Sequence, residues 1–163
     1  MKKRAPKIVA TALVAGMGTM GVSPAYASDR EVVEALYNKV LSGTSSPDLP
    51  VQIEEILAPD WQSIGDYSSP VKTRDQFLMQ LQGIGKTLPD LTWHIEEILQ
   101  EGNRFIVRGR ATATPTGIFM GIEPSGRAFE IMAIDIHTVE HHKIVLSYHV
   151  EDWHQAIEQL KTH

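Results

Sequence analysis

Residues 127–153, RAFEIMAIDIHTVEHHKIVLSYHVEDW, decide the fold. Two apolar stretches, Arg127 to Val139 and Lys143 to Val150, flank Glu140-His141-His142, which has the length of a hairpin link, and both stretches alternate with the period of a strand. In the first, Phe129, Ile131, Ala133, Asp135, His137 and Val139 share one face, while Met132, Ile134 and Ile136 share the other. Both faces are largely apolar, so this strand is central and covered on both sides. The helices of one short domain can cover only one side. A second copy of the chain is therefore expected on the other, giving a homodimer through the sheet.

In the second strand Ile144, Leu146, Tyr148 and Val150 form an apolar row, and Asp152 is its next same-face residue. A helix follows from Trp153 to Leu160. Asp152 therefore has two readings. With Gln155 it satisfies a D-x-x-Q capping box, which favours the charged carboxylate; at the end of an apolar row it is a candidate acid/base, which requires desolvation. Asp135 and His137, two apart on a mostly apolar face, read as a proton-handling pair or as an outer-face or inter-subunit hydrogen bond.

Upstream, Ser28 and Glu31 have capping-box spacing ahead of the helical recurrence Val33, Leu36, Tyr37, Val40, Leu41. A Ser/Pro loop, Thr44 to Pro50, leads into a short helix from Val51 to Leu57, then a short strand, Trp61 to Ile64. Thr73 and Gln76 cap a third helix through Leu81 and Ile84, for which Gly85 is the expected stop. From Leu91 the period is that of strands, with Leu91 to Gln100 and Arg104 to Thr114 joined by Glu101-Gly102-Asn103. The order is that of an α+β domain: N-terminal helices on one face of a curved antiparallel sheet, and a C-terminal helix.

The first 27 of the 163 residues read as a secretory signal: Lys2, Lys3, Arg4 and Lys7, a glycine-broken apolar run, and Ala25-Tyr26-Ala27 as cleavage site. Residues 28–163 then form one domain, exported to the periplasm or secreted, with no membrane attachment after cleavage. Four of the fifteen Lys and Arg and none of the twenty Asp and Glu fall in the signal, so the remainder carries eleven against twenty, a formal charge of −9. Such an acidic chain is a poor partner for nucleic acid. The absence of cysteine excludes thiol catalysis and thiolate metal sites. His141, His142 and His149 have no recognisable ligand spacing, so no metal is expected. No nucleophile elbow or phosphate loop is present.

Leu88-Pro89-Asp90-Leu91 followed by Ile98 to Arg108, then Thr116-Gly117-Ile118-Phe119-Met120-Gly121-Ile122-Glu123-Pro124-Ser125-Gly126-Arg127, then Lys143-Ile144 through Tyr148 to Asp152 and Gln159-Leu160, resemble in order and spacing the SnoaL-like polyketide cyclases. These are also called ester cyclases and belong to the nuclear transport factor 2-like superfamily. The resemblance spans nearly all of residues 28–163. It implies a cone formed by a curved sheet around helices, a pocket opening into the cone, and dimers through the sheet's outer face. It also implies aldol-type ring closure without metal or cofactor, by an aspartate at the end of the last strand, where Asp152 falls. A histidine one strand earlier assists in the family, and His137 is the nearest candidate.

Trp61-Gln62-Ser63-Ile64 stands where family members commonly have phenylalanine-x-x-histidine, so Ile64 occupies the place of a pocket histidine. Leu146 and Tyr148 stand where a glutamate and a tryptophan are usual. The candidate ligand-contacting residues are Trp61, Ile64, Tyr148 and Arg108. Arg108 shares a strand face with Arg104 and Arg110, either as a clamp for a substrate carboxylate or as part of a solvated outer row. The function expected is cofactor-free acid/base catalysis of cyclase, isomerase or lyase type on a small hydrophobic carbonyl compound. Asp152 would move the proton, and Asp135 or His137 would orient it. The alternative is an exported, non-catalytic module that binds a small ligand or a protein on the same fold.

Overall fold

Two of the three expected capping boxes form in full, and at Asp152 only the acceptor half forms. Ser28 accepts from the Glu31 N–H while the Glu31 carboxylate accepts from the Ser28 N–H, starting α1 (Asp29–Ala35). Thr73 and Gln76 do the same for α3 (Arg74–Thr87). The structure is a computed structural model and describes residues 28–161; the proposed signal segment lies outside the described residues. Helix α1 runs on as wider π-helical turns over Leu36–Leu41, and α2 (Leu49–Ile56) carries Pro50 in its first turn, where a missing N–H is harmless. Gly85 does not end α3 as expected. It lies within the helix, buried, where a Cβ would stand 2.7 Å from the Thr44 carbonyl oxygen. Glycine there permits close packing of helix on loop, not termination.

Six strands form one sheet: β1 (Leu57–Ile64), β2 (Lys72–Thr73), β3 (Thr92–Glu101), β4 (Arg104–Ala113), β5 (Phe129–Glu140) and β6 (Lys143–Glu151), in spatial order β2-β1-β6-β5-β4-β3. The fold is the α+β architecture expected, a curved sheet packed on helices with a C-terminal helix, α4 (Trp153–Leu160). One pairing refines it: β1 runs parallel to β6, so the sheet is mixed and not purely antiparallel. Strand β5 is central as read. Its turn into β6 is a two-residue link with His141 and His142 both at positive φ, the conformation that matches strand twist.

Helices α1 to α3 fill the concave side. Val32, Val33, Val40, Ile53 and Ile56 meet Phe105, Val107, Phe129 and Ile131 in one core. Helix α4 closes an end of the concavity, where Trp153 meets Phe119 and Phe129 edge-on and those two rings stack at 5.7 Å.

The face assignment of β5 holds: Phe129, Ile131, Ala133, Asp135, His137 and Val139 are all buried, while Met132 and Ile134 are exposed. That of β6 does not. Thr138 pairs with Leu146 and Val139 with Ile144, which leaves Val145 as an unpaired extra residue, a bulge. Ile144 faces the core, but beyond the bulge the phase is inverted. Ser147, His149 and Glu151 then face the concavity, and Leu146, Tyr148 and Val150 lie on the outer face.

Candidate active site

Between the sheet's concave face and α3 lies a cavity of about 290 Å³, near the lower end of small-ligand pockets. Its walls are mostly apolar, among them Phe77, Leu81, Ile84, Leu88, Leu91 and Trp153. The polar groups converge from five elements: Asp135 and His137 from β5, Ser147, His149 and Glu151 from β6, Ser63 from β1, Lys72 from β2 and Gln80 from α3. Alternation explains the set, because each β5 and β6 member is two residues from the next on an inward face.

Asp135 is only 5% exposed. Tyr37, fully buried in the π turns of the first helix, donates its hydroxyl to Asp135 Oδ2 at 2.5 Å, and the Tyr37 hydroxyl oxygen lies 3.0 Å from His137 Nε2. His137 Nδ1 lies 2.8 Å from Ser147 Oγ, which accepts the indole N–H of Trp61 at 3.1 Å. Five buried side chains from four elements thus form one connected line ending on a carboxylate at the cavity wall.

Burial raises the Asp135 carboxyl from its ordinary value to about 7; the Tyr37 hydrogen bond opposes the rise and the Glu151 charge adds to it. His137, also buried, is pushed down to about 3, with the charge of His149 acting in the same direction, so it is neutral at ordinary pH. Tyr37 is raised by burial and then by the charge of Asp135, which keeps it a phenol. His149 is different. Its Nδ1 lies 2.8 Å from Glu151 Oε1, and that hydrogen bond raises its pKa against the effect of burial. Gly65 makes room for it, since a Cβ there would stand 2.9 Å from His149 Cε1.

The site thus holds a carboxyl group that titrates near neutrality, a neutral hydrogen-bonded support behind it, and an imidazole–carboxylate pair nearby. Such a set can take a proton from a weak carbon acid and stabilise the resulting oxyanion.

Of the residues expected from sequence, Asp135, His137 and Trp61 come together here. Asp152 does not: it is exposed and caps α4, accepting the Gln155 N–H at 3.1 Å while its own N–H donates to the Met132 carbonyl. The Val145 bulge turned the row of Leu146, Tyr148 and Val150, which had suggested a pocket role, to the outer face. Ile64 alternates away from cavity-lining Ser63 and pairs with outer-face Tyr148, so neither lines the cavity. Arg108 is exposed on the outer face with Glu97 at 3.4 Å, part of the solvated row. Tyr37, Ser147, His149, Glu151 and Lys72 were missed. A usable signal was present for three of them, since Ser147, His149 and Glu151 are polar at period two within an apolar strand.

The sequence profile of the SnoaL-like polyketide cyclases matches residues 32–160. The chain belongs to this family. Among solved structures, wild-type IdmH from Streptomyces antibioticus, provisionally described as a polyketide cyclase, is 28% identical, with 82% of this chain and 98% of that one covered and a TM-score of 0.71. A provisionally described SnoaL-like polyketide cyclase from Jannaschia sp. CCS1 is 18% identical over 83% of this chain and 92% of that one, at TM-score 0.71. AclR from Streptomyces galilaeus, provisionally a hydroxylase, is 20% identical over 82% and 97%, at TM-score 0.66. The last two likenesses are of fold alone, and the differing description of AclR shows why the reaction has to be argued from the site. No curated protein matches the sequence at a significant level.

Proposed function

We propose that this SnoaL-like chain catalyses proton transfer at the carbon next to a carbonyl in a small hydrophobic compound, as a cyclase, isomerase or lyase, with Asp135 as the acid/base. The observation that carries this reading is the Asp135 carboxyl at the cavity wall, raised to about 7 by burial and held by Tyr37 at 2.5 Å. In the cyclase version the C–H bond breaks, its proton passes to Asp135, and the enolate carbon attacks a second carbonyl carbon. The alkoxide then recovers the proton from Asp135. His149, made more basic by Glu151, supplies the cation beside the developing oxyanion. The chain's own groups suffice for each proton movement, so the proposal includes no cofactor. Apolar walls around few polar groups support a hydrophobic substrate.

Deuterium uptake at the α-carbon of 2-tetralone in D₂O, followed by NMR, tests the reading without knowledge of the natural substrate. Wild-type protein should accelerate uptake, with a rate rising through pH 7 as Asp135 ionises. Asp135→Asn keeps the acceptor for Tyr37 and should lose roughly 10²–10⁴-fold. Equal rates in both proteins would favour a non-catalytic binder using the same cavity.

Two further elements belong to the proposal. The outer row Leu99, Ile106, Ile136, Tyr148 and Ile64, each paired with the next across five strands, supports a homodimer through that face. The reading of residues 1–27 as a cleaved signal supports export, and N-terminal sequencing of protein from the periplasm or medium should begin at Ser28.

A further inference from the structure

The line from Trp61 to Asp135 has a direction, set by counting hydrogens. The Tyr37 hydroxyl has one hydrogen and gives it to Asp135, so toward His137 Nε2 it can only accept. At the other end the Trp61 indole is a donor and never an acceptor, so the Ser147 hydroxyl hydrogen cannot turn toward it. Ser147 is buried, and among the described residues the remaining partner of its Oγ is His137 Nδ1, 2.8 Å away. Both ends require the same order: indole N–H to Ser147, Ser147 O–H to Nδ1, Nε2–H to Tyr37, Tyr37 O–H to Asp135. The reverse order would need a protonated Asp135 donating to Tyr37, and would leave the Ser147 hydrogen buried without an acceptor, which is costly.

We propose that Ser147, held by the Trp61 indole, is a positioning residue that fixes His137 as the Nε2–H tautomer and so obliges Tyr37 to donate to Asp135. Neither Ser147 nor Trp61 has to touch the reacting atoms. The inference rests on the acid/base reading of Asp135 for its catalytic consequence, though not for the hydrogen-bond order itself. Removing the Ser147 hydroxyl abolishes the asymmetry, because each order then leaves one unmet group on Nδ1. The reversed order becomes accessible, and it supports the protonated carboxyl at the expense of the carboxylate. The charged groups that share the cavity with Asp135, His149 and Glu151 from β6 and Lys72 from β2, are the same in both cases.

Nitrogen-15 NMR of the imidazole tests the order directly. Wild-type His137 should show a bare Nδ1 and a protonated Nε2 from pH 5 to 8. Ser147→Ala should show mixed tautomers, and its pH–rate midpoint for 2-tetralone exchange should move upward, with the rate at pH 6 falling roughly threefold to tenfold. Ser147→Thr, which keeps the hydroxyl, should restore both. A wild-type His137 protonated on Nδ1 overturns the proposal, and that measurement requires no variant to fold. So does Ser147→Ala retaining the single tautomer and the wild-type midpoint. If Asp135→Asn exchanges at the wild-type rate, the acid/base reading fails instead, and the nitrogen spectra still decide the order.

Discussion

The two faces of the β5–β6 hairpin invert the usual distribution of side chains. Its inner face buries Asp135, His137 and Ser147 to within 5% of complete enclosure, while its outer face holds Met132 at 57% exposure, Ile134 at 42% and Val150 at 66%. Polar groups inside are tolerated because each has a partner: the Tyr37–His137–Ser147–Trp61 line leaves no member unmatched. Apolar groups outside have no such local remedy, and only another surface can cover them. The inner face is matched within one chain, and the outer face presents uncovered apolar groups.

The largest expected effect tests the outer face. Ile134→Glu places a carboxylate on the outer face between Arg108 and Val150, its cross-strand partners, and should weaken a sheet-to-sheet dimer by roughly 10²-fold. Sedimentation at micromolar concentration should find wild-type dimer and variant monomer. A monomeric wild type would remove the contrast between the faces.

A smaller effect tests the inner face through pH. Folding raises the Asp135 pKa from its ordinary 3.8 to about 7, so its contribution to stability is full below its unfolded value and is lost as pH rises through 7. Folding lowers the His137 pKa from 6.5 to about 3, so its contribution is present above 6.5 and is lost as pH falls through 3. Between roughly pH 4 and 6.5 the two slopes oppose each other. Asp135→Asn removes one of them, and its melting temperature should rise with pH across that window more steeply than the wild-type one. Parallel profiles would mean that the two groups are not both enclosed.

The smallest effect concerns Asp152, which belongs to neither face. Asp152→Ala should cost about 1 kcal/mol of stability through loss of the α4 cap, measured by denaturant unfolding, and leave 2-tetralone exchange unchanged. A loss of rate comparable to that of Asp135→Asn would return Asp152 to the chemistry.

These contrasts also mark how much could be read from residues alone. Period two along β5 separated its faces correctly, since that strand pairs with β4 without irregularity, and side-chain parity survives from Phe129 to Val139. Both N-terminal capping boxes were legible because each is a local agreement between residues three apart. Of the two readings of Asp152 the cap is met and the pocket role is not, because parity does not survive a bulge and nothing in Lys143-Ile144-Val145-Leu146 distinguishes the unpaired residue. Tyr37 was visible only as one member of a helical stripe, because its partner lies 98 positions further along the chain. The parallel pairing of β1 with β6 escaped for the same reason: proximity across that distance is set by the whole fold.

The extra residue at Val145 makes the cavity a matter of strand register as well as side-chain identity. Were β6 to alternate strictly from Ile144 with no residue left unpaired, Leu146, Tyr148 and Val150 would turn inward, filling the hollow with hydrocarbon while His149 and Glu151 turned to solvent. The same letters of sequence therefore describe a hollow domain or a solid one according to a single unpaired residue, whereas deleting Val145 would close the bulge and leave Ser147, His149 and Glu151 facing inward. The chamber thus rests on a slip of one position in β6, a property that an inventory of side chains would never record.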